Sequence, residues 1–313
     1  MADEPTAPPS ARALIIDGLR AAITGAAEAA TKAQVSAAES VAAYRLSVRR
    51  ARAVLKLVGD ELGRRDRRRA RDLFRAAAAE AEGEHAVPVA LAALAGWSLA
   101  PPLRINADAV IESTRAAVGP DDDLGAALTE AVAQITAADP ASALDDALPA
   151  DLELEALIRS VADSFREARD AAHGAHHSPR RFRRWHRRCM DLAFQLELIA
   201  GGAGRHTQTL ADEYAALARD LGTCADLLDA RDLVKAGPGS TGELRQLMRD
   251  SLDDQMRALR VRARDLLGGG GKAFARRLRT ALEVDRTGED GEAEDSAGDA
   301  HAGGEAPAPA HDD

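Results

Sequence analysis

The chain reads as all-α, and three observations carry that reading. Alanine, leucine and arginine, all strong helix formers, dominate its 313 residues. Aromatic residues make up only 3% and β-branched runs are scarce, so little of the chain suits a pleated sheet. Apolar residues also recur at three- and four-residue steps in segment after segment. The length suffices for a sizeable core, as one large domain or two halves.

The most informative segment is Val41–Leu55, with Lys56 behind it. Tyr44, Val48, Ala51, Leu55, Val58 and Leu62 fall on one helix face. Arg45, Arg49, Arg52 and Lys56 form a second stripe on its flank, and no acidic residue stands between Val41 and Gly59. A solvated face usually alternates sign to gain pairs four residues apart. Unpaired like charges at that spacing repel, so the row is better explained by an anionic ligand lying along it.

Taken in order, residues 1–9 are Pro-rich and expected to be disordered. Ser10 is positioned to cap a helix over 11–32, and the basic helix spans 36–61. An Arg-dense helix follows Gly63 to about 82, then a short apolar one over 87–99. Weaker patterns cover 106–118 and 124–138, separated by the turn Gly119–Asp123. The Pro/Asp/Ala-rich stretch 139–150 reads as a linker between halves 10–138 and 151–284. The second half restarts at Asp151 with a helix to His173; Ser178 and Pro179 then open a helix ending at Gly201-Gly202. Further helices are expected over 206–221, 223–235, 242–267 and 272–284, the last after the break Gly268–Gly271.

The two halves echo each other: an opening helix, an Arg-rich amphipathic helix, a helix ending near a glycine, a short apolar helix. In the second Arg-rich helix Phe182, Trp185, Cys189, Leu192 and Leu196 form the packing face, with Arg180, Arg183, Arg184 and Arg187 on a flank. Two such flanks related by a pseudo-twofold would line a basic groove.

The net charge of −10 conceals this polarity. The tail 285–313 carries ten acidic residues against Arg286 alone and so supplies nine of the ten excess negatives. Its Gly/Glu/Asp/Ala/Pro composition cannot bury a core, so it reads as disordered. Arginine far outnumbers lysine, whose copies are Lys32, Lys56, Lys235 and Lys272, which fits a GC-rich bacterial genome. Cys189 and Cys224 show no disulfide framework, the N-terminus lacks a signal peptide, and no apolar run approaches membrane-spanning length. A cytoplasmic protein is expected.

The basic helix resembles the first repeat of the CHAD domain, an α-helical domain named for its histidines. That repeat reads V-H-x-x-R-x-x-x-R-R-x-R-x-x-L, and Val41, Arg45, Arg49, Arg50, Arg52 and Leu55 stand in register with it. Trp185, Arg187, Phe194 and Leu196 match the second repeat, H-x-W-R-K-x-x-K-x-x-x-Y-x-L; Leu221, Gly222, Asp226 and Leu227 match its L-G-x-x-H-D-L. Lys272–Leu278 is similar to the last helix, and the resemblance covers about 11–284. The histidine slots hold Ala42, Arg183 and Ala225, and usually basic slots hold His186 and Met190. His85-Ala86 stands where the first repeat has R-D, so the chain reads as a divergent member.

The resemblance implies two pseudo-twofold-related four-helix bundles with a basic groove for inorganic polyphosphate, and association with polyphosphate granules. One wall would be Arg45, Arg49, Arg50, Arg52 and Lys56; the other Arg180, Arg183, Arg184, Arg187 and Arg188; Lys272, Arg276 and Arg277 would close an end. Guanidinium forks suit phosphate oxygens, and multiple cation contacts with counterion release suit a polyanion. With Arg183 in a histidine slot, that half should bind with little pH sensitivity. The rival expectation is a scaffold whose groove holds an acidic protein segment, its own tail 285–313 included.

Other constellations are weaker. His173, His176, His177, His186 and Cys189 have ligand-like spacings but no second conforming pair, so no metal is expected. Glu153 and Glu155 lack the lysine of an E-x-E-x-K motif and read as helix N-terminal charge. Trp97 and Trp185 read as core anchors, and Gly268–Gly271 as a helix break without a phosphate-loop G-K-[ST]. No catalytic triad or base-reading motif is present, which argues against an enzyme, a cofactor and nucleic-acid recognition.

Overall fold

A computed structural model describes residues 10–33, 35–82, 87–118, 123–237 and 241–288. The Pro-rich 1–9, His85-Ala86, most of the turn 119–123, part of the loop 236–242 and the tail from 289 lie outside the described residues. Among those described the chain is helical without strands. In order come α1 (Ala11–Thr31), α2 (Ala37–Leu57), α3 (Arg64–Ala79), α4 (Val87–Gly96), α5 (Pro101–Val118), α6 (Leu124–Ala138) and α7 (Pro140–Ala147). Then follow α8 (Leu154–Ala172), a 3-10 turn (Ala175–His177), α9 (Pro179–Ala200), α10 (Arg205–Ala236), α11 (Gly242–Leu266) and α12 (Gly271–Thr287).

Helix starts follow their capping chemistry. The Ser10 hydroxyl accepts from the Ala13 amide at 3.1 Å, and the Ser178 hydroxyl from that of Arg181 at 3.3 Å, with Pro179 in the first turn. Differences from expectation have local causes. α5 begins at Pro101 because a proline in a first turn loses no hydrogen bond. The stretch 139–150 contains α7, which packs on α1 and α3; its Asp139 carboxylate accepts from the Ser142 amide. α10 runs unbroken through Gly222, where a helix break was expected. Gly222 lies against α9 there, where a Cβ would stand 3.4 Å from His186 Nε2.

One continuous core runs through both sequence halves, with Tyr44, Phe74, Phe165, Phe182 and Trp185 among its largest buried side chains. A satellite core joins α4 and α5 of the first half to α10 and α11 of the second. The two cores therefore do not divide along the two sequence halves, and this packing does not delimit two pseudo-twofold-related bundles. α2 lies on α9, and buried Gln195 donates to the Ala53 carbonyl at 3.1 Å across that contact. The Tyr44 hydroxyl donates to Ala77 O at 3.1 Å and the Ser160 hydroxyl to Lys56 O at 3.3 Å, fixing α3 and α8 against α2.

Asp285 departs from the sequence expectation. It belongs to α12 rather than to a free tail, and its carboxylate accepts from the amides of Gly204, His206 and Thr207 at 2.8–3.1 Å. The last helix thus caps the N-terminus of α10, whose opening glycine has no capping side chain. Burial alone would push this carboxyl up, but the hydrogen bonds from Thr207 and His206 outweigh it and hold the group well below the usual range. A depressed folded-state pKa stabilises above the unfolded value of about 4, and that contribution is lost as pH falls. Asp285→Ala should cost about 1–2 kcal/mol at pH 7 by urea denaturation, the usual worth of a cap, and less at pH 3. Equal losses at both pH values would contradict this role.

Candidate functional site

A cleft of about 720 Å³ opens where α2, α3, α8 and α9 meet. The α2–α9 packing forms it: each helix buries its apolar face, which leaves the basic flanks side by side. Arg49, Arg52 and Lys56 enter from α2, and Arg184, Arg187 and Arg188 from α9. The structure thus brings together six of the thirteen cations that the sequence nominated. α3 adds Arg67 and Arg71, which the sequence reading noted only as an Arg-dense run. Their signal was the spacing i, i+4 on a helix following a tight turn.

The cleft is not uniformly basic. Glu167 of α8 and Asp191 of α9 stand between its walls. Lys56 reaches Glu167 at 2.6 Å and Asp191 at 4.0 Å; Arg188 reaches the same two at 3.0 and 3.5 Å. Burial pushes the Asp191 carboxyl up, against the pull of Lys56, Arg188, Arg49 and Arg52. Arg67 is held by the Gly59 carbonyl at 2.9 Å and Asp60 at 3.4 Å.

Arg49, Arg52, Arg184 and Arg187 form no hydrogen bond or ion pair among the described residues. Burial lowers the pKa of Arg49, as do neighbouring Arg187, Arg45 and Arg52, with Asp191 opposing. Burial and Arg188 lower that of Arg187 in the same way. These guanidinia remain charged, since arginine does not deprotonate in proteins, but their charge is held against mutual repulsion. An anion entering the cleft would relieve it.

His186 lies beside these arginines. Burial first, then Arg49 and Arg187, push it down to about 3, so its imidazole stays neutral at ordinary pH. His186 therefore adds no charge beside the cleft between about pH 5 and 8.

The other seven nominated cations stand elsewhere. Arg50 donates to Glu197 at 2.9 Å and lies 4.9 Å over the Phe194 ring, a packing role. Arg183 is engaged by Asp229 and Asp232 of α10, and Arg277 by Glu213 at 2.7 Å. Arg45 faces the acidic side of α10, where its charge acts on Asp226. Arg180 is exposed on the first turn of α9, and Lys272 and Arg276 are exposed on α12, all three away from the cleft. The sequence could not separate these from the cleft residues, because partners on α10 share no local spacing with α2 or α9.

Buried Cys189 and Cys224 have thiols pushed up by burial, the latter to about 11, so neither supplies a thiolate. Among the described residues no group of three or more His, Cys, Asp or Glu could hold a metal. No described helix is long and apolar enough to cross a membrane.

Asp226 offers a test of this electrostatic layout. Burial, then Asp229, push its carboxyl up to about 6, with Arg45 opposing. The unfolded chain ionises near pH 4, so the folded state holds the proton more tightly and loses stability as pH rises from about 4 to 6. Asp226→Asn should shift the urea midpoint upward relative to the parent above pH 6 and leave it little changed near pH 4. Parallel stability–pH curves would contradict the layout.

No protein-family model matches the sequence, and no curated protein does. Among solved structures the chain is similar to the crystal structure of the CHAD domain from the plant Ricinus communis. The TM-score is 0.53 at 15% identity, covering 91% of this chain and 95% of that one. With the helical order above and the matching repeat residues, this shows that the chain adopts an all-α, CHAD-like fold.

Proposed function

We propose that the cleft binds inorganic polyphosphate without catalysing its turnover, and that this binding serves to place the protein on polyphosphate granules. The observation that carries the reading is the set of four guanidinia that form no ion pair among the described residues, Arg49, Arg52, Arg184 and Arg187, converging on one cleft from two helices. A linear polyanion suits this layout better than a compact ligand. Residues four apart on a helix climb about 6 Å, so both walls can follow a repeating charge without reading any sequence. Affinity then arises from counterion release and charge-assisted hydrogen bonds. Nucleic acid would use the same cations, but no exposed aromatic platform or base-reading motif accompanies them. A binding role is supported by His186 beside the cleft, whose imidazole is held neutral by burial and by Arg49 and Arg187.

A second occupant, an acidic protein segment, is favoured by one observation: Lys56 and Arg188 already pair with the carboxylates of Glu167 and Asp191. Its own acidic tail is the nearest such segment in sequence.

Arg49→Glu with Arg187→Glu should weaken binding of long-chain polyphosphate by about a hundredfold, each reversal removing a charged contact. Lys272→Glu, outside the cleft, should change it by less than about threefold. Circular dichroism of each variant checks that the helices persist. Affinity unchanged in the double variant would overturn the assignment. A chain ending at residue 288 that binds more tightly would show that the tail competes for the cleft.

A further inference from the structure

A second pocket, of about 660 Å³, lies on other faces of α8 and α9, closed by the C-terminal end of α11. Arg169 and His173 come to it from the end of α8, His176 from the 3-10 turn, and Arg260 and Arg264 from α11. No acidic residue lines it. Its remaining walls are Ala172, Trp185, Ala263 and Leu267 with Gly174 and Gly268.

Three features distinguish this pocket from a solvated basic face. Arg260 and Arg264 are spaced i, i+4, where like charges repel, and neither has a hydrogen bond or ion pair among the described residues. Their neighbours on the same helix behave differently: Arg257 pairs with Asp254 at 2.9 Å and Arg262 is engaged by Asp220. Arg169 is held in place, donating to the Gly269 carbonyl at 2.8 Å and to Asp170 at 3.5 Å, while its own carbonyl meets His173 Nδ1 at 3.0 Å. Finally, Trp185 is 1% exposed, and its indole N–H reaches no oxygen or nitrogen acceptor among the described residues.

We propose that this pocket is a separate anion site that takes a short phosphate anion, either free or as the end of a longer chain. Guanidinia from α8 and α11 would hold the phosphate oxygens over a small apolar wall. Gly174 shapes the turn that carries His176: a Cβ there would stand 3.0 Å from the His177 ring, and φ is +74°, a conformation side chains rarely adopt.

The chain has two tryptophans, so a Trp97→Phe protein leaves Trp185 as the sole indole reporter. Titration of this full-length protein with pyrophosphate should give a saturable change in Trp185 emission. Arg260→Glu with Arg264→Glu should weaken it by about tenfold or more. The matched control on the same helix, Arg249→Glu with Arg257→Glu, should stay within about twofold. A response to long-chain polyphosphate that disappears in the Arg49→Glu, Arg187→Glu protein, while the pyrophosphate response persists, would show that the pocket also takes the end of a chain held in the cleft. The proposal is overturned if neither anion gives a saturable change. It is equally overturned if the pyrophosphate change survives Arg260 and Arg264 reversal, or is lost only on reversal of Arg49 and Arg187. Failure of polyphosphate binding at the cleft leaves the pyrophosphate result unaffected, so the two sites are tested apart.

Discussion

The packing of α2 on α9 is the constraint on which the rest of the architecture depends. Tyr44, Val48 and Ala51 of α2, and Phe182, Trp185, Cys189 and Leu192 of α9, are buried almost completely in the shared core. Burial of each large apolar side chain is worth about 1.5–3 kcal/mol, and the buried Gln195–Ala53 hydrogen bond fixes the register of the two helices. With those faces inward, the basic flanks have nowhere to go but alongside each other. The fold therefore sustains a cost: burial lowers the pKa values of Arg49 and Arg187, and neighbouring arginines lower them further. Glu167 and Asp191 pair with Lys56 and Arg188, and Asp191 opposes part of the cost at Arg49 and Arg187, while Arg49, Arg52, Arg184 and Arg187 form no ion pair among the described residues.

Arginine performs two jobs in this protein, and partner geometry separates them. Arg50, Arg183 and Arg277 are bound to acidic groups on other helices and act as ties between elements. Arg279 is tied to Glu155 of α8 in the same manner, which also gives Glu155 a use beyond helix N-terminal charge. By contrast, Arg49, Arg52, Arg184 and Arg187 line the cleft without such ties. Arg183 therefore adds no free cation, since α10 absorbs its charge through Asp229 and Asp232.

Fold class was legible because helix propensity and apolar periodicity are local. So were the packing faces of α2 and α9, the Ser10 and Ser178 caps and the core places of Trp185 and Cys189. What lay beyond local reading depends on contacts distant in the chain. Asp285 looked like the first residue of an acidic tail, yet its carboxylate serves amides some eighty residues earlier. Gly222 looked like a break, yet α9 passes beside it and two cores hold α10 straight. The cleft itself was half legible: the stripes were visible, but the facing of α3 and the diversion of Arg45 and Arg183 toward α10 were not. Charge repeated every fourth residue shows that a helix carries a basic row; only the packing decides which members share a ligand.

The most direct test of the central claim is a titration of the full-length protein with long-chain polyphosphate across a salt series. A cleft that uses these four guanidinia, with Lys56 and Arg188 beside them, predicts a steep fall of log K with log salt, with a slope of about −3 or steeper if single-strand behaviour carries over to polyphosphate. Binding that is absent at low salt, or a slope near zero, would contradict the account.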